Sequence, residues 1–137
     1  MRGSITIKYR PNDEMFDFSA SSPDCSVSIE LYGSSDIFSE FGTKLLDFPQ
    51  SINDVIELEQ GKDRITADYL YLKAYISKSS GHSAINVVVN SAVGIPGPYR
   101  AEFGIVAEPA EINRLGQMLS GWDFQERPEM AWKVPSD

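Results

Sequence analysis

Cysteine and histidine are almost missing from this chain. One cysteine, Cys25, and one histidine, His82, occur in 137 residues. A lone cysteine excludes an internal disulfide and any thiolate metal cluster, and a lone histidine excludes a His-rich metal site. Both fit a reducing cytoplasm. No apolar run is long enough to cross a membrane. The opening residues pass straight into a strand pattern without the apolar core of a signal peptide, so a cytoplasmic location is expected. Positive charge is also scarce where it matters. Between Arg10 and Lys44 there is no Lys or Arg, and residues 11–59 carry eleven acids against Lys44 alone, a net of −10. Residues 60–137 carry nine acids and eight bases, so nearly all of the formal −8 lies in one stretch. Such a chain lacks the clustered bases that phosphate contacts need, which argues against nucleic acid as a direct partner. It suits a basic protein surface instead, because segregated charge speeds encounter with an oppositely charged partner.

What is present is an apolar alternation fit for a core. The composition is 42% hydrophobic and 11% aromatic, too apolar for disorder, and the length predicts a single domain over 1–137. Ile5 and Ile7 alternate with polar neighbours, and so do Val27, Ile29 and Leu31, each pattern predicting a half-buried strand. Met15 to Phe18 makes a short strand between two turns. Ile37, Phe38, Phe41, Leu45 and Phe48 recur at helical spacing, with Ser34 or Ser35 as the cap and Pro49 as the stop. Gly42 interrupts that helix. Val55 to Leu58 predicts a fourth strand, turning at Gln60-Gly61-Lys62-Asp63. In 67–77, Leu70, Leu72, Ala74 and Ile76 share the core parity, while Tyr69, Tyr71, Lys73 and Tyr75 share the other. Ser79-Ser80-Gly81 turns into a strand with Ile85, Val87 and Val89. The Gly94–Pro98 loop leads to one with Ala101, Phe103, Ile105 and Ala107. Pro109 opens a second amphipathic helix with Ile112, Leu115, Leu119 and Trp122 on one face and Gly121 as its terminator. The expectation is an α+β fold. It has one antiparallel meandering sheet of about six to seven strands, two amphipathic helices packed on it, a core over 4–122 and an irregular tail over 123–137.

Catalytic chemistry is hard to find in these residues. Cys25 opens a strand among apolar neighbours, with no helix start behind it to activate a thiolate. His82 follows a turn. Asp54, Glu57 and Glu59 lack the spacing of a calcium loop, and the Gly94–Pro98 loop lacks the lysine of a phosphate cradle. No catalytic, cofactor or metal residue is assigned, and the chain reads as non-enzymatic. The candidate contact residues are acids and tyrosines. They are Asp36, Glu40 and Asp47 on or beside the first helix, then Asp54, Glu57 and Glu59, with Tyr69 and Tyr71 offering large rings with polar tips.

The run Cys25-Ser26-Val27-Ser28-Ile29-Glu30-Leu31 leads into the helix positions Phe38, Phe41, Leu45, Leu46 and Phe48. It continues through Tyr71 to Ile76, Gly81-His82, Ile85 to Val89, Tyr99 to Phe103, and Ile112, Leu115, Leu119 and Trp122. Over residues 25–122 this order of apolar positions resembles the WapI-type bacterial immunity proteins. The resemblance implies a cytoplasmic inhibitor that neutralises a toxin domain, often a basic nuclease, by covering its active surface. It brings no catalytic signature. Two alternatives stay open: a small-molecule binder or enzyme with a pocket between the sheet and the last helix, lined by Tyr69, Tyr75 or Trp122 and marked by convergent polar groups including His82; and a homo-oligomeric structural domain whose tyrosine face is its own interface. The oligomeric state is left open, with a homodimer among the options.

Overall fold

Alternation with period two builds most of this molecule, whose computed structural model describes residues 2–32, 36–61, 68–77, 82–91 and 98–136. Three strands come first: β1 (Gly3–Arg10), β2 (Met15–Ser21) and β3 (Ser26–Tyr32). Helix α1 (Asp36–Leu45) follows. Then come β4 (Val55–Gln60), β5 (Tyr69–Ile76), β6 (Ser83–Ser91) and β7 (Tyr99–Ala107). Helix α2 (Pro109–Ser120) and strand β8 (Glu129–Val134) end the chain. The expected caps Ser34 and Ser35, the turns at Lys62-Asp63 and Ser79-Ser80-Gly81, and residues 94–97 of the glycine-proline loop lie outside the described residues.

The α+β class and the antiparallel pairing agree with the sequence. The single sheet does not. The strands form two four-stranded sheets, ordered β3-β2-β1-β8 and β4-β5-β6-β7. Consecutive strands pair as β1-β2-β3 and as β4-β5-β6-β7, and α1 and the segment after it carry the chain from the first sheet to the second. Each sheet has one apolar face, and a structure that stacks those faces buries both at once. Ile5, Ile7, Phe18, Ala20, Ile29 and Leu31 on one side share a core with Leu70, Leu72, Ile85, Val87, Val89 and Ile105 on the other. The helices complete that core with Phe38, Phe41, Leu45, Ile112, Leu115 and Leu119. A Cβ at Gly3 would lie 2.6 Å from Cγ2 of Ile105, which shows how closely β1 and β7 approach.

The second correction concerns the tail. Residues 129–134 are a full strand pairing with β1, with Trp132 opposite Ile5 and Met130 opposite Ile7. Met130, Trp132 and Val134 are all in the core, and Trp132 is fully buried. Pro128 and Pro135 bracket the strand without interrupting it. Glu129 and Lys133 belong to its outward parity, so their charge conceals a six-residue alternation.

Gly42 also means more than a weak helix position. It faces Gly116 where α1 crosses α2, and a Cβ there would sit 2.6 Å from both Leu119 Cβ and the Ser120 nitrogen. Just beyond the crossing, the Asn113 side-chain amide lies 2.9, 3.2 and 2.8 Å from the carbonyls of Leu45, Leu46 and Phe48. One side chain of α2 thus reaches the last carbonyl of α1 and two carbonyls of the segment that follows it. The Phe48–Pro49 peptide is cis.

Side chains from the second sheet seal the β3 edge. The Tyr99 hydroxyl donates to the Ser28 carbonyl (2.9 Å), the Glu30 amide to Asp68 (3.0 Å), and the Gln60 side-chain amide to the Tyr32 carbonyl (2.7 Å). Alternate residues of an edge strand direct their backbone groups outward, and here one group on each of Ser28, Glu30 and Tyr32 has a partner.

Candidate partner-binding face

The inner parity of the second sheet is consumed by the core, which leaves its outer parity to define a surface. Strand register aligns that surface into rows. The first row is Val55, Tyr75, Ala84 and Val106, one residue from each strand. The second is Glu57, Lys73, Asn86 and Gly104. The third is Glu59, Tyr71, Val88 and Glu102, and the fourth is Tyr69, Asn90 and Arg100. Val106 is 52% exposed and Val55 45%, while Ala84 and Val88 are buried at the foot of longer neighbours. A Cβ at Gly104 would meet no atom within 4 Å, so the face dips there. Just before β4, Ile52 is the most exposed large apolar side chain among the described residues, at 64%, and Leu46 is exposed too. Aliphatic and aromatic groups therefore stand amid charged neighbours on a face that no described element covers.

Diagonal hydrogen bonds order the rings. The Tyr69 hydroxyl donates to Glu59 (2.6 Å), and the Tyr71 hydroxyl donates to Glu57. The carboxylates therefore stand as acceptors at the tips of the tyrosines, and Lys73 lies 4.9 Å from the centre of the Tyr75 ring. Across the sheet Asn86 donates to Glu102 (3.3 Å), which also pairs with Arg100 (3.3 Å). Burial, then the hydrogen bond from each phenol to its carboxylate, then the carboxylate charge push Tyr69 and Tyr71 up to about 12. Burial and the charge of Asp68 raise Tyr99 in the same direction. The folded chain then holds these phenolic protons above the usual 10.0, at which the unfolded chain releases them. Stability from this source is complete below pH 10 and declines as pH rises towards 12. Absorbance titration should find late phenols from Tyr69, Tyr71 and Tyr99, and the first two should be absent in Tyr69→Phe/Tyr71→Phe. The alkaline loss of stability should shrink in that variant, and phenols that titrate normally would contradict the hydrogen-bonded geometry.

Of the residues singled out in the sequence, the fold brings Glu57, Glu59, Tyr69 and Tyr71 together. Asp54 immediately precedes β4, where its carboxylate accepts the Gln50 amide (2.8 Å), so it also shapes the turn. Asp47 is exposed, and its carbonyl accepts from the Gln50 side chain (2.6 Å). Asp36 and Glu40 are exposed one turn apart on α1 rather than on the strand grid. The acidic stretch is also divided between surfaces. Asp13, Asp17 and Glu30 gather around Arg10 at 3.2, 3.3 and 3.1 Å on the first sheet and its adjoining turn. Arg100, Glu102, Val106 and the dip at Gly104 belong to the face yet were not singled out. The inward parity of Ala101, Phe103 and Ile105 marks their outward neighbours, but only inter-strand register places them beside the tyrosines.

The expected pocket is rearranged. A cleft of about 360 Å³ does lie between the end of α2 and β8, lined by Gln117, Met118, Trp122, Arg127, Glu129 and Met130. Trp122 donates its indole N–H to the Arg127 carbonyl there (2.6 Å). Tyr69 and Tyr75 instead belong to the outer face of the second sheet. His82 pairs with Glu108 (3.2 Å), and Cys25 packs at the margin of the core. Among the described residues no group of three or more His, Cys, Asp or Glu side chains could hold a metal ion. No described helix is long and apolar enough to cross a membrane. Comparison with protein-family models, curated proteins and solved structures finds no match for this chain.

Proposed function

We propose that this chain is a non-enzymatic, cytoplasmic binding protein that neutralises a basic protein partner. The partner would be of the toxin-domain kind that WapI-type immunity proteins inhibit, and the outer face of the second sheet would cover its active surface. One observation carries the reading: Glu57 and Glu59 stand with Tyr69 and Tyr71 on an uncovered face, continuous with the exposed side chains of Val55 and Val106. Carboxylates there would steer a basic surface into contact, while the rings and aliphatic groups would be desolvated on docking. Asp47 and Asp54 lie just before β4 in the chain, and Asp36 and Glu40 add negative potential from α1.

The test is capture of partners from a lysate of the source cells on immobilised wild-type protein, followed by assay of any captured protein's toxic activity. Glu57→Gln/Glu59→Gln tests charge, and Tyr69→Ala/Tyr71→Ala tests the rings. A basic protein should be retained at low salt, with affinity falling at least about tenfold in either variant, near 1.4 kcal/mol. Wild-type protein in equal amount should silence the captured activity. Equal capture by both variants, or binding indifferent to ionic strength, would sink the proposal.

A second reading is favoured by the cleft beside Trp122, whose volume suits a small ligand and whose rim offers Gln117, Arg127 and Glu129. A metabolite seated there would change Trp122 fluorescence while leaving capture by the Glu57/Glu59 face unaltered.

A further inference from the structure

Four strand edges bound the two sheets, and they are not treated alike. The β3 edge is sealed by Tyr99, Asp68 and Gln60. The β8 edge runs beside α2, where Arg114 donates to the Lys133 carbonyl (2.6 Å). The β4 edge belongs to the strand that packs beside α1. Strand β7 is different. Among the described residues its backbone hydrogen-bonds only with β6 and with the Ser83 hydroxyl at Ala107. Its last residues, around Ile105, lie close to β1. Tyr99 to Gly104 is left as an edge with no proline and no described cover, the kind of template that another strand completes.

We propose that this edge pairs with the same edge of a second copy of this chain, antiparallel, about a two-fold axis at Ala101. The charges select the occupant and the register. An axis at residue 101 sets Arg100 opposite Glu102 of the second copy, and Glu102 opposite its Arg100, giving two cross-strand ion pairs on the outer face. On the inner side it sets Tyr99 against Phe103 twice, and both rings have surface left to bury. Ala101 meets itself at the axis, where a small side chain is needed. Pro98 falls opposite Gly104, which has open space above it, and pairing ends there because proline offers no N–H. An axis at 100 or 102 places like charges directly opposite each other. One at 103 pairs Arg100 with Val106 and Glu102 with Gly104, leaving both charges without a partner across the strands. The result is a continuous eight-stranded sheet that carries two copies of the Glu57/Tyr71 face on one side.

Light scattering across about 10 to about 500 µM should show the mass rising from 15.2 kDa towards twice that value, as a small, reversible interface requires. Arg100→Glu and Glu102→Arg should each hold the mass at that of the monomer, and the double exchange should restore the rise. Circular dichroism confirms that each variant is folded, which these exposed positions allow. As an independent check, Ala101→Cys in a Cys25→Ser background should give a covalent dimer with a short bis-maleimide, which the Cys25→Ser parent should not. A wild-type monomer throughout the range overturns the proposal. So does a dimer indifferent to the single reversals, a folded double exchange that stays monomeric, or an Ala101→Cys variant that does not cross-link.

Discussion

Replacing Trp132 by alanine is expected to lower the unfolding free energy by about 3–5 kcal/mol, the usual cost of deleting a buried tryptophan. A domain of this size has roughly 5–15 kcal/mol in total, so this one change removes a large share. The indole is fully buried opposite Ile5, and its N–H donates to the Glu111 carbonyl at the start of α2 (2.9 Å). It therefore joins the last strand, the first sheet and the second helix at one point. Trp132→Phe keeps most of the volume but loses the donor, and should cost about 1–3 kcal/mol because the Glu111 carbonyl is left without that partner. Ending the chain after Trp122 removes β8 altogether, exposes the pairing edge of β1 and opens the core at Met130, Trp132 and Val134. That truncation should show no cooperative urea transition. A truncated chain that unfolds cooperatively at the wild-type midpoint would mean that β8 is an ornament.

That strand also marks the limit of what is legible in the residues. Within β1, β3, β5, β6 and β7, alternation identified the buried parity, because burial of a half-wet strand acts directly on side-chain polarity. In β5 the residues Leu70, Leu72 and Ala74 are buried and the tyrosines half-buried, as the pattern requires. Which strands pair is a different kind of information. The link from β1 to β8 spans almost the whole chain, and nothing local in Glu129-Met130-Ala131-Trp132-Lys133-Val134 names its partner. The division into two sheets follows from such long-range pairing, and it was hidden for the same reason.

The candidate face was half legible. Tyr69 and Tyr71 on one parity, and Glu57 and Glu59 on another, could be read separately. Their union depends on β4 pairing beside β5 in a register that places Glu59 opposite Tyr71. Net charge was the less reliable guide. It located the acids in one stretch of sequence, but Arg10 draws Asp13, Asp17 and Glu30 into local ion pairs, and α1 carries Asp36 and Glu40 on a separate element. A sum over sequence cannot register which acids share a face.

Gly42→Ala should destabilise the protein, although helix propensity alone predicts a gain of about 1 kcal/mol from this substitution. The opposing effect is steric. The new methyl would stand 2.6 Å from Leu119 Cβ and from the Ser120 nitrogen, with the Gly116 carbonyl at 3.0 Å. Two of these three are backbone atoms of α2, so no side-chain rotation relieves the contact and the helices must separate. Overpacking of this kind costs about 1–3 kcal/mol, which turns the net change unfavourable. Gly42→Leu, with more volume to place, should fall at the upper end or beyond and lower the urea midpoint further. Gly116→Ala meets the Gly42 carbonyl at 2.8 Å and Leu45 Cβ at 2.9 Å, so it opens the same crossing from the other side. Once the first methyl has parted the helices, the second should cost less, and the double variant should be less destabilised than the two singles together. Gly121→Ala is the control. Its φ is −101°, and the nearest atom to a new Cβ is the Gln117 carbonyl at 3.5 Å, so little change is expected. A stabilised Gly42→Ala, or strict additivity with Gly116→Ala, would show that the two helices have room to spare and that the glycines are not what sets their approach.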